Sequence, residues 1–291
     1  MGKGTHRRTE SETLFEHYLS SNGYEDWEYE PDIPGRRKHP DYLLRSRGRE
    51  FLFEVKELHQ KAPPPKQPRF IDPYKSLRDE INEARKQFTH YKEWCCSLVV
   101  FNIDDWQARL KPRHVFAAML GDLGIRMDFD ANGGVIVRGS ERPAFLERGK
   151  MLRPKTYEPQ NTTIAAILVL ERFRARNPAF VLALKRERSL REAKIGRPVD
   201  AWEACELHGE MLLRYPGAIS EVLRVVVHEN PFARKALPRD LFTGPYDERW
   251  AIGEDGLQRT FVGASLRTQE DAESSRRGAG RDDEETDECR A

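Results

Sequence analysis

The sequence predicts an α/β (α+β) protein with a mixed central sheet flanked by helices, and three observations carry that expectation. Strand-like runs alternate along the chain with stripes of apolar residues at helical spacing. Residues 96–102 (CSLVVFN) and 164–170 (IAAILVL) are short, continuous apolar runs of the kind that form central strands covered on both faces. The 291 residues, 38% hydrophobic and 33% charged, can bury a sizeable core without disulfide or metal staples, and lie well short of the composition of a disordered chain.

Thr9-Glu10-Ser11-Glu12 reads as a capping box, and Leu14, Phe15, Tyr18 and Leu19 follow on one helical stripe until Asn22-Gly23 stops it. Residues 27–30 alternate as a strand does, and a Pro/Gly turn at 31–35 leads into the basic cluster Arg36, Arg37 and Lys38. Residues 41–45 and 50–58 form a hairpin about Ser46-Arg47-Gly48, with Phe51, Phe53 and Val55 alternating against Leu52, Glu54 and Lys56. The prolines at 63–65 and 68 cannot continue a ladder, and they separate the hairpin from a long helix. In that helix Tyr74, Leu77, Ile81, Ala84, Phe88 and Tyr91 recur three and four residues apart. Residues 111–120, with Pro112 in the first turn, form another.

Farther on the alternation is less clean. A short strand is expected at 134–138, a buried one at 164–170, a helix about 201–214 and a strand at 223–228 (LRVVVH). Residues 230–250, dense in Pro, Gly and aromatics, read as loop packed over the core. No repeat or linker divides the body, so a single elaborated domain is expected over 9–262, after a flexible stretch at 1–8. Its motif-bearing core is 9–105, and the half at 141–262 completes or covers the sheet. Residues 263–291 read as a disordered acidic tail, because no apolar run there offsets the entropy of ordering it.

The net charge of +1 excludes polyanion binding by bulk charge, so any basic site is local. The four cysteines, Cys95, Cys96, Cys205 and Cys289, have no metal-ligand or disulfide-framework spacing and read as buried free thiols. No window approaches a membrane span and the amino terminus does not resemble a signal peptide, which together point to a reducing, cytoplasmic setting. Gly2-Lys3-Gly4-Thr5 is too short for a phosphate-binding loop, and no Ser/His/Asp or Cys/His arrangement supports acyl transfer.

The chemistry concentrates on the hairpin. Strand side chains alternate, so Glu54 and Lys56 project from one face while the turn folds Asp41 back beside them. Two carboxylates, a backbone carbonyl such as that of Val55, and water make the hard oxygen site that Mg²⁺ (or Mn²⁺) prefers. Lys56 would position the attacking water and offset charge on a phosphate. The competing reading is an ordinary ion pair on a half-exposed strand.

Pro40-Asp41 with Glu54-Val55-Lys56 resembles the PD-(D/E)xK nuclease superfamily, in an uncharacterised bacterial branch. The resemblance implies a restriction-endonuclease-like fold, a Mg²⁺-dependent nuclease activity, and a glutamate on the helix before the motif. Glu16 is the candidate, since Glu12 already serves the capping box. It also implies a Gln-x-x-x-Tyr element on the following helix, here Gln87 and Tyr91. The motifs cover residues 10–105. A second Pro-Asp at Asp32 lies in a turn, and a second Glu-x-Lys at Glu192 lies in a solvated helix, so neither competes.

DNA is the expected substrate, ahead of RNA. Arg36, Arg37 and Lys38 could grip its backbone, with Lys66, Arg69, Lys75 and Arg78 extending that surface. Tyr74 and Tyr91 could stack on bases, although their place on the apolar stripe favours the core. His39 and His59 flank the site, and Glu28 and Glu30 have no assigned place. The alternative is the same fold binding nucleic acid or a protein without hydrolysis. A homodimer is a further expectation, a membrane partner is not.

Overall fold

The computed structural model describes residues 7–34, 39–59, 72–105, 108–126, 142–153, 156, 158–253 and 256–270, with the backbone alone over 122–126 and 142–148. In chain order these form α1 (Glu10–Ser21), β1 (Trp27–Tyr29), β2 (Tyr42–Ser46), β3 (Arg49–Leu58), α2 (Lys75–Phe88), β4 (Cys95–Asn102), α3 (Pro112–Leu120), β5 (Gly121–Arg126) and β6 (Arg142–Arg148). There follow β7 (Ile164–Arg176), α4 (Pro178–Ile195), α5 (Ala201–Arg214), β8 (Ile219–Glu229), β9 (Glu248–Gly253), β10 (Gly256–Val262) and a helical segment at 264–270. Eight strands make one mixed sheet in the order β1-β2-β3-β4-β7-β8-β9-β10, and β5 pairs with β6 apart from it. The α/β class with a mixed, helix-flanked sheet is therefore as expected.

Local chemistry accounts for the boundaries that frame the site. At the start of α1 the Thr9 hydroxyl accepts from the Glu12 amide and the Glu12 carboxylate accepts from the Thr9 amide, so two otherwise orphaned donors are satisfied. β2 and β3 are antiparallel from Ser46↔Arg49 to Tyr42↔Phe53. Only Arg47 and Gly48 lie between them, both with positive φ (52° and 71°), as a two-residue hairpin turn of matching twist requires. β3, β4 and β7 are parallel neighbours, and that is why 96–102 and 164–170 carry no polar face.

The β2–β3 register assigns the two faces of the sheet. Leu43 and Leu52 point to one side, into a cluster with Leu77, Ile81 and Phe88 of α2. Tyr42 and Phe53 point to the other and pack edge-on or tilted against Phe15 of α1. Phe242, from the loop before β9, closes over Phe53 and Tyr18. That loop is fixed by Arg249, whose buried guanidinium donates to the carbonyls of Leu237, Pro238 and Leu241 and to Glu229.

Contacts divide the chain into two compact units, where the sequence offers no linker. The first comprises residues 1–171, 224–243 and 248–261, and the second 172–223, 244–247 and 262–291. β7 and β8 are longer than their apolar runs predict, and the second unit uses their ends together with α4 and α5.

Several expectations are corrected. α2 ends at Phe88, so Tyr91 lies in the following turn rather than on the helix with Gln87. The loop expected over 230–250 gives way to β9 at Glu248, and β10 has no counterpart in the sequence reading. Residues 264–270 of the expected tail are helical because Leu266 is buried and the Gln269 amide donates to the Arg176 carbonyl. Cys95 and Cys96 are buried free thiols, but Cys205 is exposed. The strand expected at 134–138, the proline loop and Cys289 lie outside the described residues.

Because Arg249 satisfies three carbonyls and a carboxylate in a site almost closed to solvent, Arg249→Met should cost about 3–5 kcal/mol of unfolding free energy. Urea denaturation measures it. A loss below about 1 kcal/mol would mean that the loop is held by something else.

Candidate active site

Asp41 immediately precedes β2, and continuing the register by one residue sets it across from Glu54 on β3. Its backbone carbonyl accepts from the Glu30 amide at 2.8 Å. Its carboxylate Oδ2 accepts from the Val55 amide at 2.7 Å, a ladder donor that β2 no longer reaches. Glu54 and Lys56 are two apart on β3, on the face they share with Leu52. Lys56 Nζ lies 2.5 Å from Glu54 Oε1 and 3.9 Å from Asp41 Oδ2. The three side chains singled out from the sequence thus converge. Glu54 is 2% exposed, Asp41 20% and Lys56 29%, so solvent reaches the cluster from the Asp41 and Lys56 side.

Charge in this cluster is unbalanced. Burial raises the Asp41 carboxyl to about 6, against the lowering by Lys56 and the Val55 amide. Burial, and then the charge on Asp41, raise Glu54 to about 7. Burial works against the Lys56 ammonium, yet Glu54 and Asp41 hold its pKa above the ordinary lysine value. Like charges set across a ladder repel, and one ammonium serves two carboxylates. Glu54 Oε2 is buried without a hydrogen-bond partner among the described residues. A buried acceptor in that condition costs about 1–3 kcal/mol.

The helix glutamate expected at the site is Glu16, and it is engaged elsewhere. Tyr42 faces α1, and its hydroxyl donates to Glu16 Oε1 at 2.9 Å, while Arg8 forms an ion pair with the same oxygen. Burial and that contact push the Tyr42 phenol far up. Glu12 is the α1 carboxylate whose charge is felt at both Asp41 and Glu54. It is buried at the capping box, with the Tyr29 hydroxyl donating to it at 3.4 Å. Burial, followed by Glu12, raises the Tyr29 phenol to about 12. The capping box masked Glu12 in the sequence. Glu30, which the sequence could not place, also adds negative charge at Asp41 through the β1–β2 pairing.

Gln87 is at the edge of this region, where its amide donates at 3.0 Å to the carbonyl of His39, two residues before Asp41. Tyr91 has no exposed surface and packs in the core with Phe88 and Cys96, so it cannot stack on a base. Arg78 is buried, donating to Asp72 and to the Ala117 carbonyl, so it does not extend the expected phosphate-binding surface, while Lys75 is exposed and pairs with Asp79. Tyr74 lies against Arg78 and His114. Arg36, Arg37, Lys38, Lys66 and Arg69 lie outside the described residues. His39 contacts the Pro31 carbonyl, and His59 sits between Glu57 and Asp104, whose contacts raise its pKa. Glu28 pairs with Arg45.

Among the described residues no three His, Cys, Asp or Glu side chains are grouped to hold a metal ion by themselves. No helix among them is long and apolar enough to cross a membrane. No protein-family model, no curated protein and no solved structure matches the chain.

The raised carboxyls make stability depend on pH in a definite direction. Between the ordinary carboxylate range and about 7 the folded protein holds protons that the unfolded chain has released, so stability falls as pH rises through that window. In metal-free buffer Glu54→Gln should remove most of that slope and raise stability at pH 8 relative to the parent. Thermal melts at intervals from pH 5 to 8 measure it, and parallel curves for the two proteins would contradict it.

Proposed function

We propose that the chain is a metal-dependent nuclease of the PD-(D/E)xK type, hydrolysing phosphodiester bonds, with DNA preferred over RNA, on a restriction-endonuclease-like core at residues 9–105. The observation that carries the reading is Glu54 Oε2: among the described residues, a buried carboxylate oxygen with no partner, across the ladder from a second carboxylate and beside a single ammonium. The connectivity α1, β1, the β2–β3 hairpin, α2 and parallel β4 supports it by carrying the motif residues in the expected order.

The residues fit Mg²⁺ or Mn²⁺ on that same observation. Asp41, Glu54 and the Val55 carbonyl would hold the ion. N–H and C=O of a strand residue leave on one side, so the carbonyl faces the edge to which the Val55 amide donates. Two carboxylates suffice for Mg²⁺, which keeps several waters and takes substrate oxygens as well. When bound, the ion supplies a Lewis acid that activates water and neutralises phosphate charge. The Val55 amide orients the Asp41 carboxylate, and Gln87 holds the backbone leading into it. Lys56, partly open to solvent, would hold the attacking water and offset developing charge. Glu12 supplies further negative potential in favour of a cation.

A second reading, nucleic-acid or protein binding without hydrolysis, is favoured by one contact. Lys56 closes to 2.5 Å on the acid that the ion needs, and such a pair can be an inert structural link.

Cleavage of plasmid, linear duplex, single-stranded DNA and RNA, with Mg²⁺, Mn²⁺ or EDTA, separates the two. Expected are metal-dependent cleavage of DNA and a loss of about 10²-fold or more in Asp41→Ala and Glu54→Ala. Lys56→Met should slow turnover comparably yet tighten Mn²⁺ binding in calorimetry, because the ammonium no longer competes for Glu54. Full activity in both alanine variants would remove the site, and Mn²⁺ binding with no cleavage of any substrate would favour the second reading.

A further inference from the structure

Every exposed large hydrophobic side chain of the described residues falls between Leu182 and Ile219, in the second unit. α4 and α5 pack on each other through Phe180, Leu184, Leu207 and Met211. A surface helix with one buried side keeps its other side polar, but both helices carry a second apolar stripe. On α4, Leu182 and Leu190 lie at i and i+8, 63% and 56% exposed, with Arg186 between them. On α5, Trp202 and Leu213 lie at i and i+11, 74% and 88% exposed, with Glu206 and Gly209 between them. A Cβ added at Gly209 would meet nothing, so that stripe has a flat, open stretch where a neighbouring helix can approach. The scattered single exposed apolar residues normal on a monomer do not concentrate in this way.

The charges on the two stripes identify the partner. Lys185, Arg186 and Lys194 are exposed on α4, with no ion pair among the described residues. The outer side of α5 carries Glu206, whose Oε1 accepts from the Trp202 indole, while Glu210 pairs with Arg191 of α4. One helix therefore offers apolar side chains spaced by bases and the other apolar side chains spaced by an acid, Glu206. Two-fold symmetry sets the first against the second twice and leaves neither open.

We infer that the outer stripes of α4 and α5 are the interface of a homodimer, with α4 of one copy lying along α5 of the other, Leu182 and Leu190 against Trp202 and Leu213 of the partner subunit, and Arg186 facing Glu206 of the partner subunit. Helices of 18 and 14 residues are about 27 and 21 Å long, so each of the two contacts can run for about 20 Å. The interface is independent of the proposed cleavage chemistry, since none of its residues belongs to the candidate active site.

Sedimentation equilibrium of the full chain tests it, over about 5–100 μM, which spans micromolar dissociation constants. The expected mass is twice 33.8 kDa, falling to 33.8 kDa in Trp202→Gln/Leu213→Gln. Both positions are exposed, so the far-ultraviolet circular dichroism spectrum should not move, while the melting temperature loses its dependence on protein concentration. Arg186→Glu should weaken the dimer about tenfold, and Arg186→Glu combined with Glu206→Arg should restore it. A parent at 33.8 kDa throughout, including one that instead binds lipid vesicles or duplex DNA through these stripes, overturns the inference. So does a dimer that survives the double substitution, or a mass that climbs past two copies, which would mean an open rather than a two-fold contact.

Discussion

One electrostatic imbalance organises the candidate site: two carboxylates face each other across the end of a β-ladder, and among the described residues one ammonium serves both. A ladder ordinarily avoids like charges in register. Here the arrangement persists because β2 and β3 are over-determined by other contacts, with Leu43 and Leu52 buried on one side and Tyr42 and Phe53 on the other. Shifting the register by one residue would exchange those faces and expose both sets, so the core fixes where Asp41 and Glu54 stand.

The surrounding polar contacts reduce the cost of that arrangement without removing it. The Val55 amide satisfies one Asp41 oxygen and Lys56 one Glu54 oxygen, while Glu54 Oε2 is left without a partner among the described residues. Glu12 and Glu30 add negative charge rather than relieve it. A purely structural ion pair gains from balanced charge and complete hydrogen bonding, and among the described residues this cluster has neither. Consistency across levels fails locally at a point that the rest of the fold holds firmly, which is where functional residues tend to lie.

Much of the first unit was legible in the sequence because its signals are local. The capping box at Thr9 and Glu12, the Arg47-Gly48 turn, and the apolar runs of β4 and β7 each follow from a few adjacent residues. The convergence of Asp41, Glu54 and Lys56 was legible too, since a hairpin with alternating side chains permits little else. What escaped depends on tertiary context. Glu12 and Glu16 are one helical turn apart, and tertiary contacts distinguish their environments, Tyr29 donating to Glu12 and Tyr42 and Arg8 engaging Glu16. Tyr91 sits in the register of the α2 stripe, but the helix stops before it and the core takes the side chain. β9 and β10 lack alternating burial and owe their place to neighbours in the sheet. The helix at 264–270 is anchored by Leu266 and Gln269 within a segment whose overall composition is polar.

The second unit differs in kind: its helices are capped at Asn177 and Asp200, and each shows apolar residues on two sides. For the first unit the decisive question is whether the imbalance at Asp41 and Glu54 exists to receive a cation. Anomalous diffraction from crystals of the unsubstituted chain grown with Mn²⁺ answers it most directly. The expected result is a peak bonded to Glu54 Oε2 and an Asp41 oxygen, with Lys56 Nζ drawn back from its 2.5 Å contact. An empty map at saturating Mn²⁺, with Lys56 still closed on Glu54, would contradict it.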